Sequence, residues 1–290
     1  KMKSEGVVLI ALGSPQYGYM AAQMARSIKY HNKDIPIWLL HDGRVIHYLP
    51  DVYRRMFVGD TVMDEADRMT LGRLDPGRAK VMLPKYLPFD TNVYFDVDGL
   101  ALKDVSPLFE IEGEYKTEVV GMGTRDEEIN YLFWAEPEMV WDVFQLPEDR
   151  VYRSIQSSFA ILRKGKWMTD FGRRLKSNFD NFKLDNLKNR WGGTMPDELI
   201  FAGTCAQLDY DQGCGQSVVF FGHKIVKESF SEIEAKFYVL SLYGNGGGRN
   251  GNPLVKLRYR DWYDRMNRML SRETKTPTLG KVYSMPRAKH

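Results

Sequence analysis

Two apolar runs set the tightest limits on this chain: VVLIAL at residues 7–12 and IPIWLL at residues 35–40, separated by a stretch whose apolar residues from Met20 to Tyr30 recur at helical spacing. Runs without a polar residue suit strands buried on both faces, and strand, helix, strand within forty residues reads as a βαβ opening. Such a unit builds a parallel, helix-covered sheet whose ligands bind beyond the carboxyl ends of the strands. Those ends fall near residues 12–17 and 41–43. The first loop, LGSPQYG, has neither Gly-x-Gly-x-x-Gly nor Gly-x-x-x-x-Gly-Lys, so neither a Rossmann dehydrogenase nor a P-loop enzyme finds support there.

Strands are expected around residues 55–58, 92–95, 118–122, 158–162, 218–221 and 237–242. Helices are expected to open at Asp75-Pro76 and to cover residues 137–144, 166–178 and 196–206. No repeat or linker divides them before Gly244, so the chain reads as a single α/β domain, residues 1–244, followed by a glycine-rich loop and basic tail, residues 245–290. Cys205 and Cys214 have no metal-ligand spacing and read as two reduced thiols. The basic residues at the N-terminus precede an apolar stretch too short for a signal sequence, and no apolar run is long enough to span a bilayer; the expectation is a cytoplasmic protein.

Asp96 and Asp98 close the buried run NVYFDVDG, where a core strand should be oily. Residues two apart on a strand point to one side, which aims both carboxylates at one spot past its end. Paired hard oxygens suit Mg2+ or Mn2+ carrying a diphosphate. With 22 aspartates in 290 residues about two Asp-x-Asp matches arise by chance. The second copy, Asp209-Tyr210-Asp211, lies in a polar loop with no buried strand before it and reads as structural.

The stretch KVMLPKYLPFDTNVYFDVDGLALKDVSPLFE resembles the core of GT-A fold glycosyltransferases, the retaining group that includes glycogenin and bacterial lipopolysaccharide galactosyltransferases. QSSFAILRKGKW and PDELIF are similar to later motifs of the same group, so the resemblance extends over residues 7–244. It implies a mixed, mostly parallel sheet flanked by helices, and transfer of a sugar from a nucleoside diphosphate sugar to an acceptor hydroxyl. By the same resemblance Asp96 and Asp98 hold the divalent ion, and Leu12, Gly13 and Tyr17 form the nucleotide loop. Lys80 stands where the group has an arginine, which keeps the charge and loses the bidentate geometry. Ser157 and Ser158 flank the donor sugar, and Asp197 and Glu198 lie beneath the reacting carbon; for Asp197 a helix N-cap is the alternative. The group's third metal ligand, a histidine, is replaced by Ser241 in SLYGNGGGR, with His223 a candidate substitute from elsewhere.

Residues 254–290 carry ten Lys/Arg against three Asp/Glu, +7 of a total of +3, so the rest carries −4. An aromatic stripe through Tyr259, Trp262 and Tyr263 runs among these arginines. The tail could pack on the core or meet an anionic membrane or a nucleic acid, and the acceptor class, glycan, lipid or hydroxymethylated phage DNA, stays open. The segment 244–253, with five glycines, reads as a lid over the diphosphate, with Arg249 or Lys256 as a charge clamp, or as a linker. A nucleotidyltransferase acting on sugar phosphates and a non-catalytic sugar-nucleotide or nucleic-acid binding protein are the competing functions.

Overall fold

The computed structural model of the protein describes residues 4–127, 134–183, 185, 187, 196–221 and 229–241. Its elements begin with β1 (Glu5–Ala11), α1 (Pro15–His31), β2 (Ile37–His41), α2 (Arg44–His47), α3 (Asp51–Arg54) and β3 (Gly59–Val62). There follow α4 (Glu65–Arg68), β4 (Met69–Thr70), β5 (Arg73–Leu74), α5 (Pro76–Val81), β6 (Thr91–Phe95) and β7 (Gly99–Ala101). The chain continues through β8 (Tyr115–Gly123), α6 (Pro137–Phe144), β9 (Tyr152–Arg163), α7 (Lys166–Asn181) and α8 (Asp197–Gln207). It closes with β10 (Val219–Phe221), α9 (Phe230–Lys236) and β11 (Val239–Ser241). One sheet has the strand order β3-β2-β1-β6-β9-β8, a second β10-β11-β7, and β4 and β5 form a hairpin. This is the mixed α/β architecture that the apolar periodicity predicts. Among the described residues no helix is long and apolar enough to cross a membrane.

The residues group into two compact units interleaved along the chain. The first holds Glu5–Val62, Val93–Glu110 and the described residues from Ser217 on. In it β1 runs parallel to β2, Val7 opposite Ile37 and Ala11 opposite His41, and β2 runs parallel to β3. This register ends β1 and β2 level, so the loops that leave them start at one edge. Ser14 starts α1, its side chain accepting the Gln16 N–H at 3.3 Å with Pro15 at the first helical position. The helix buries Met20, Ala21, Met24, Ala25 and Ile28, an apolar face that meets the demand of oily strands for cover. All five residues of β6 are buried, and β7 pairs antiparallel with β11, Gly99 opposite Ser241. Past β7, Asp104 Oδ1 accepts from the Ser106 N–H at 2.9 Å and hydroxyl at 2.7 Å, which closes the turn of the KDVSPLF stretch.

The second unit holds Met63–Asn92 and Ile111–Gln216, with the residues up to Ser4. Here β8 and β9 pair antiparallel, but the register jumps from Lys116 opposite Ile161 to Glu118 opposite Gln156. Four residues, 157–160, therefore face Thr117 alone. The Thr117 hydroxyl pins this bulge, donating to the carbonyls of Gln156 at 3.1 Å and Phe159 at 2.6 Å. Helix α8 is buried from Leu199 to Ala206, and α7 contributes Met168, Phe171, Leu175 and Phe179 from one face. Tyr115 stacks on Phe201 with ring centres 5.4 Å apart.

Several element boundaries differ from the sequence expectation, three of them with a clear physical cause. No strand covers residues 55–58: Pro50 and Asp51 start the short helix α3, the chain turns through Arg55 and Met56, and β3 begins at Gly59. The helix from Pro76 stops at Val81 and gives way to a 3-10 turn at Leu83–Lys85, since Pro84 has no N–H for the Lys80 carbonyl and its ring would clash there. Strand β9 begins at Tyr152, six residues before the expected start, because its polar first half is held by pairing with β8. The expected boundary at residue 244, His223, the segment 244–253 with Arg249 and Lys256, and the basic tail 254–290 lie outside the described residues.

Candidate active site

Each unit contributes its own group of candidate residues. In the first, β6 ends at Phe95, and Asp96, Val97 and Asp98 form the turn that leads into β7. This corrects the expectation of a continuous strand: the carboxylates belong to a turn between two strands, so strand alternation does not set their directions. Both are half-buried while Val97 between them is 7% exposed, which points the apolar residue inward and anchors the turn. The Tyr94 hydroxyl donates to Asp96 Oδ1, and the register of β11 sets Ser241 opposite Gly99, next to Asp98. Ser241, the residue in place of the expected histidine, is 3% exposed.

The candidate nucleotide loop leaves β1 through buried Leu12 to Gly13, whose φ of 84° is the left-handed region that favours glycine. The Gly13 N–H donates to Asp42 Oδ2 at 2.8 Å, while Asp42 Oδ1 accepts from the N–H groups of Arg44 at 3.1 Å and Val45 at 3.4 Å. Asp42, 7% exposed, thus ties the loop after β1 to the loop after β2. His41 supports it from below: Nδ1 accepts the Gly43 N–H at 2.9 Å, which leaves Nε2 to donate to Asp60 Oδ2 at 2.9 Å. Tyr17 stands in the first turn of α1 and is 42% exposed, an aromatic face open at the strand-end edge. Asp42 falls within residues 41–43, the strand end where ligand binding is expected, although the sequence singles out no role for it there.

In the second unit α5 presents Lys80, whose Nζ lies 3.5 Å from Asp197 Oδ2 and donates to Ser157 Oγ at 3.4 Å. Both charged side chains are largely buried, 17% and 15% exposed. Asp197 is the first residue of α8 and caps nothing, since Pro196 holds the cap position without a side-chain bond; the N-cap alternative is excluded. Its Oδ2 makes no hydrogen bond among the described residues, so the Lys80 contact is an ion pair without a hydrogen bond. Ser157 and Ser158 sit in the β9 bulge, each 7% exposed, and Ser158 Oγ has no hydrogen-bond partner among the described residues. Buried polar atoms left short of partners are costly, and a polar ligand is one way to satisfy them. Burial, with Cys205 and Asp197 nearby, holds the Tyr115 phenol well above its usual range, so it stays neutral under this group. Glu198, next on the helix, accepts the Trp134 indole N–H at Oε2, 2.7 Å away. Arg78, two residues before Lys80, is committed elsewhere, to Asp180 at 2.7 Å and the Ala66 carbonyl at 2.6 Å.

The loop Asp209-Tyr210-Asp211 is tied into the surface. Asp209 pairs with Arg150, Asp211 Oδ1 lies 3.4 Å from Arg153 Nε, and the Tyr210 hydroxyl accepts the N–H groups of Glu114 at 2.9 Å and Tyr115 at 3.1 Å.

Among the described residues no three His, Cys, Asp or Glu side chains gather into a metal cage. The donors at the β6–β7 turn are all oxygen, two half-buried carboxylates with the Ser241 hydroxyl in the neighbouring register, and they fit a hard divalent ion that takes its remaining ligands from phosphate and water.

No protein-family model matches the chain, and no curated protein matches it in sequence. Solved structures match it in fold. The galactosyltransferase LgtC in complex with donor and acceptor sugar analogues has a TM-score of 0.56 at 12% identity, over 90% of this chain and 95% of its own. An active-site mutant of LgtC gives 0.55 at 13% identity over the same shares. WbbM, a bifunctional glycosyltransferase in its apo form, gives 0.59 at 10% identity over 98% of this chain and 52% of its own, so this chain spans about half the length of WbbM. At these identities the likeness is one of fold, and it is the fold that the GT-A resemblance implies.

Proposed function

We propose that the protein is a glycosyltransferase that moves a sugar from a nucleoside diphosphate sugar to an acceptor hydroxyl, with retention at the anomeric carbon. The observation that carries this reading is the half-buried pair Asp96 and Asp98 at the exit of the fully buried strand β6, in a fold shared with glycosyltransferases. Asp96 and Asp98 hold Mg2+ or Mn2+, which when bound supplies positive charge to the leaving diphosphate. Gly13, with its N–H drawn onto Asp42, and the face of Tyr17 position the nucleotide. Lys80 lends a second positive charge near the sugar and phosphates, and Ser157 and Ser158 offer hydroxyls to the sugar.

In the reaction the bond from the anomeric carbon to the diphosphate oxygen breaks with its electron pair leaving on phosphate. A bond from the acceptor oxygen forms, and the acceptor proton passes to the departing phosphate oxygen. Positive charge gathers on the anomeric carbon meanwhile. Asp197 and Glu198 stabilise that charge, and their fixed partners Lys80 and Trp134 keep them from having to reorganise as it develops. Incubation with a panel of nucleoside diphosphate sugars, with and without Mn2+, tests the reading: slow release of nucleoside diphosphate from one donor is expected, and none from any donor would refute it.

A further inference from the structure

We propose that Trp134 is a positioning residue for Glu198: its indole N–H holds one carboxylate oxygen, Oε2, and so sets the orientation of the carboxylate. The inference rests on the glycosyltransferase reading for the role of Glu198, and on the structure for the contact itself.

The indole N–H is a donor only, and at 2.7 Å from Oε2 it makes a short, charge-assisted bond. Trp38 and Trp141 direct theirs to neutral acceptors instead, the Thr61 hydroxyl at 3.1 Å and the Pro147 carbonyl at 3.0 Å. A glutamate in the first turn of a helix is already favoured by the helix dipole and by water, so α8 does not require this donor to form. What the bond adds is direction.

The frame that carries the indole is stiff. Ala135 is fully buried, α6 follows at Pro137, and its residues Val140, Trp141 and Phe144 are each 1% exposed or less. At the far end of α8 the Gln207 amide donates to the Phe144 carbonyl at 2.8 Å, and Phe144 packs against Gly203. Glu198 therefore stands on a helix clamped to α6, and Trp134 lies three residues before α6 begins. Burial and the Glu198 charge push the Tyr152 phenol of β9 up, so it remains neutral. Asp197 beside Glu198 has its own cation in Lys80.

Two variants separate the parts: Trp134→Phe keeps a ring and deletes the donor, and Glu198→Gln keeps an acceptor oxygen and deletes the charge. In full-length protein labelled with 15N at the indoles, the resonance that vanishes in Trp134→Phe is expected to shift in Glu198→Gln more than that of any other tryptophan. This holds whether or not a sugar is transferred. On the donor that is turned over, Trp134→Phe is expected to lower kcat roughly tenfold to a hundredfold, the range for losing a hydrogen bond to a charged group, with the donor KM almost unchanged. Trp134→His, which restores an N–H, is expected to recover part of the loss. An indole resonance indifferent to Glu198→Gln, or an unaltered kcat in Trp134→Phe, overturns the proposal. Absence of turnover on every donor would instead defeat the glycosyltransferase reading, while the indole shift would still decide whether Trp134 holds Glu198.

Discussion

At the scale of single residues, the two Asp-x-Asp copies make opposite predictions. Asp96→Asn or Asp98→Asn should cut metal-dependent turnover by more than about a hundredfold, since a neutral amide is a poor ligand for a hard cation, with melting temperature nearly unchanged. Asp209→Asn should leave turnover intact. Asp209 is 77% exposed, paired only at the surface with Arg150, and its φ of 51° is one that asparagine accepts as readily as aspartate. Equal losses at both copies would mean the wrong pair has been assigned. Asp42 makes a different demand, because both its oxygens accept N–H groups. In Asp42→Asn one of them becomes a donor facing a donor, at a cost of about 1–3 kcal/mol, and the loop at Gly13 loosens. The expected result is a raised donor KM with kcat nearly kept; a fall in kcat alone would remove the loop from nucleotide binding. Asp96 and Asp98 were legible because an apolar run leads into them. Lys80 and Asp197 were legible only through the family likeness, and Trp134 not at all, since its partner is 64 residues away and nothing local marks an indole as a donor to a carboxylate.

At the scale of elements, packing of α8 explains why a glycine sits in its middle. A Cβ at Gly203 would collide with the ring of Phe144, which is 1% exposed and held near Phe182. Alanine gains about 1 kcal/mol in helix propensity, but overpacking costs about 1–3 kcal/mol, so Gly203→Ala should destabilise. Urea denaturation measures it, and a stabilised variant would show that α6 yields. The link between α5 and α7 can be tested by acid. Burial would raise the Asp180 carboxyl, but Lys176 and Arg78 outweigh it and hold the pKa below the ordinary 3.8. A depressed carboxylate stabilises the fold above its unfolded pKa and loses that contribution as pH falls through the folded value. Wild type and Asp180→Asn should therefore differ in melting temperature at neutral pH, with a gap that begins to close as pH falls below the ordinary 3.8 and is gone only below the depressed folded value; a gap that persists in strong acid would contradict the role. Helices α6 to α8 and the opening βαβ unit were legible because length and period coincide there. The start of β3 and the polar half of β9 were not, since partner strands and not local sequence hold them in place.

At the scale of the whole molecule, fold and chemistry are linked through where the candidate side chains leave their elements. The loop after β1 and the Asp turn follow strands at their carboxyl ends, and Ser157 and Ser158 occupy a bulge where one residue faces four. Charge is divided as sharply, +7 in residues 254–290 against −4 elsewhere. The most direct measurement of the central claim is donor hydrolysis in Mn2+ by wild type, Asp98→Asn and Asp209→Asn, matched for melting temperature. The account predicts nucleoside diphosphate release from one sugar nucleotide by wild type and Asp209→Asn, lost on chelation and absent in Asp98→Asn. Release that survives both chelation and Asp98→Asn, or no release from any donor, would contradict it.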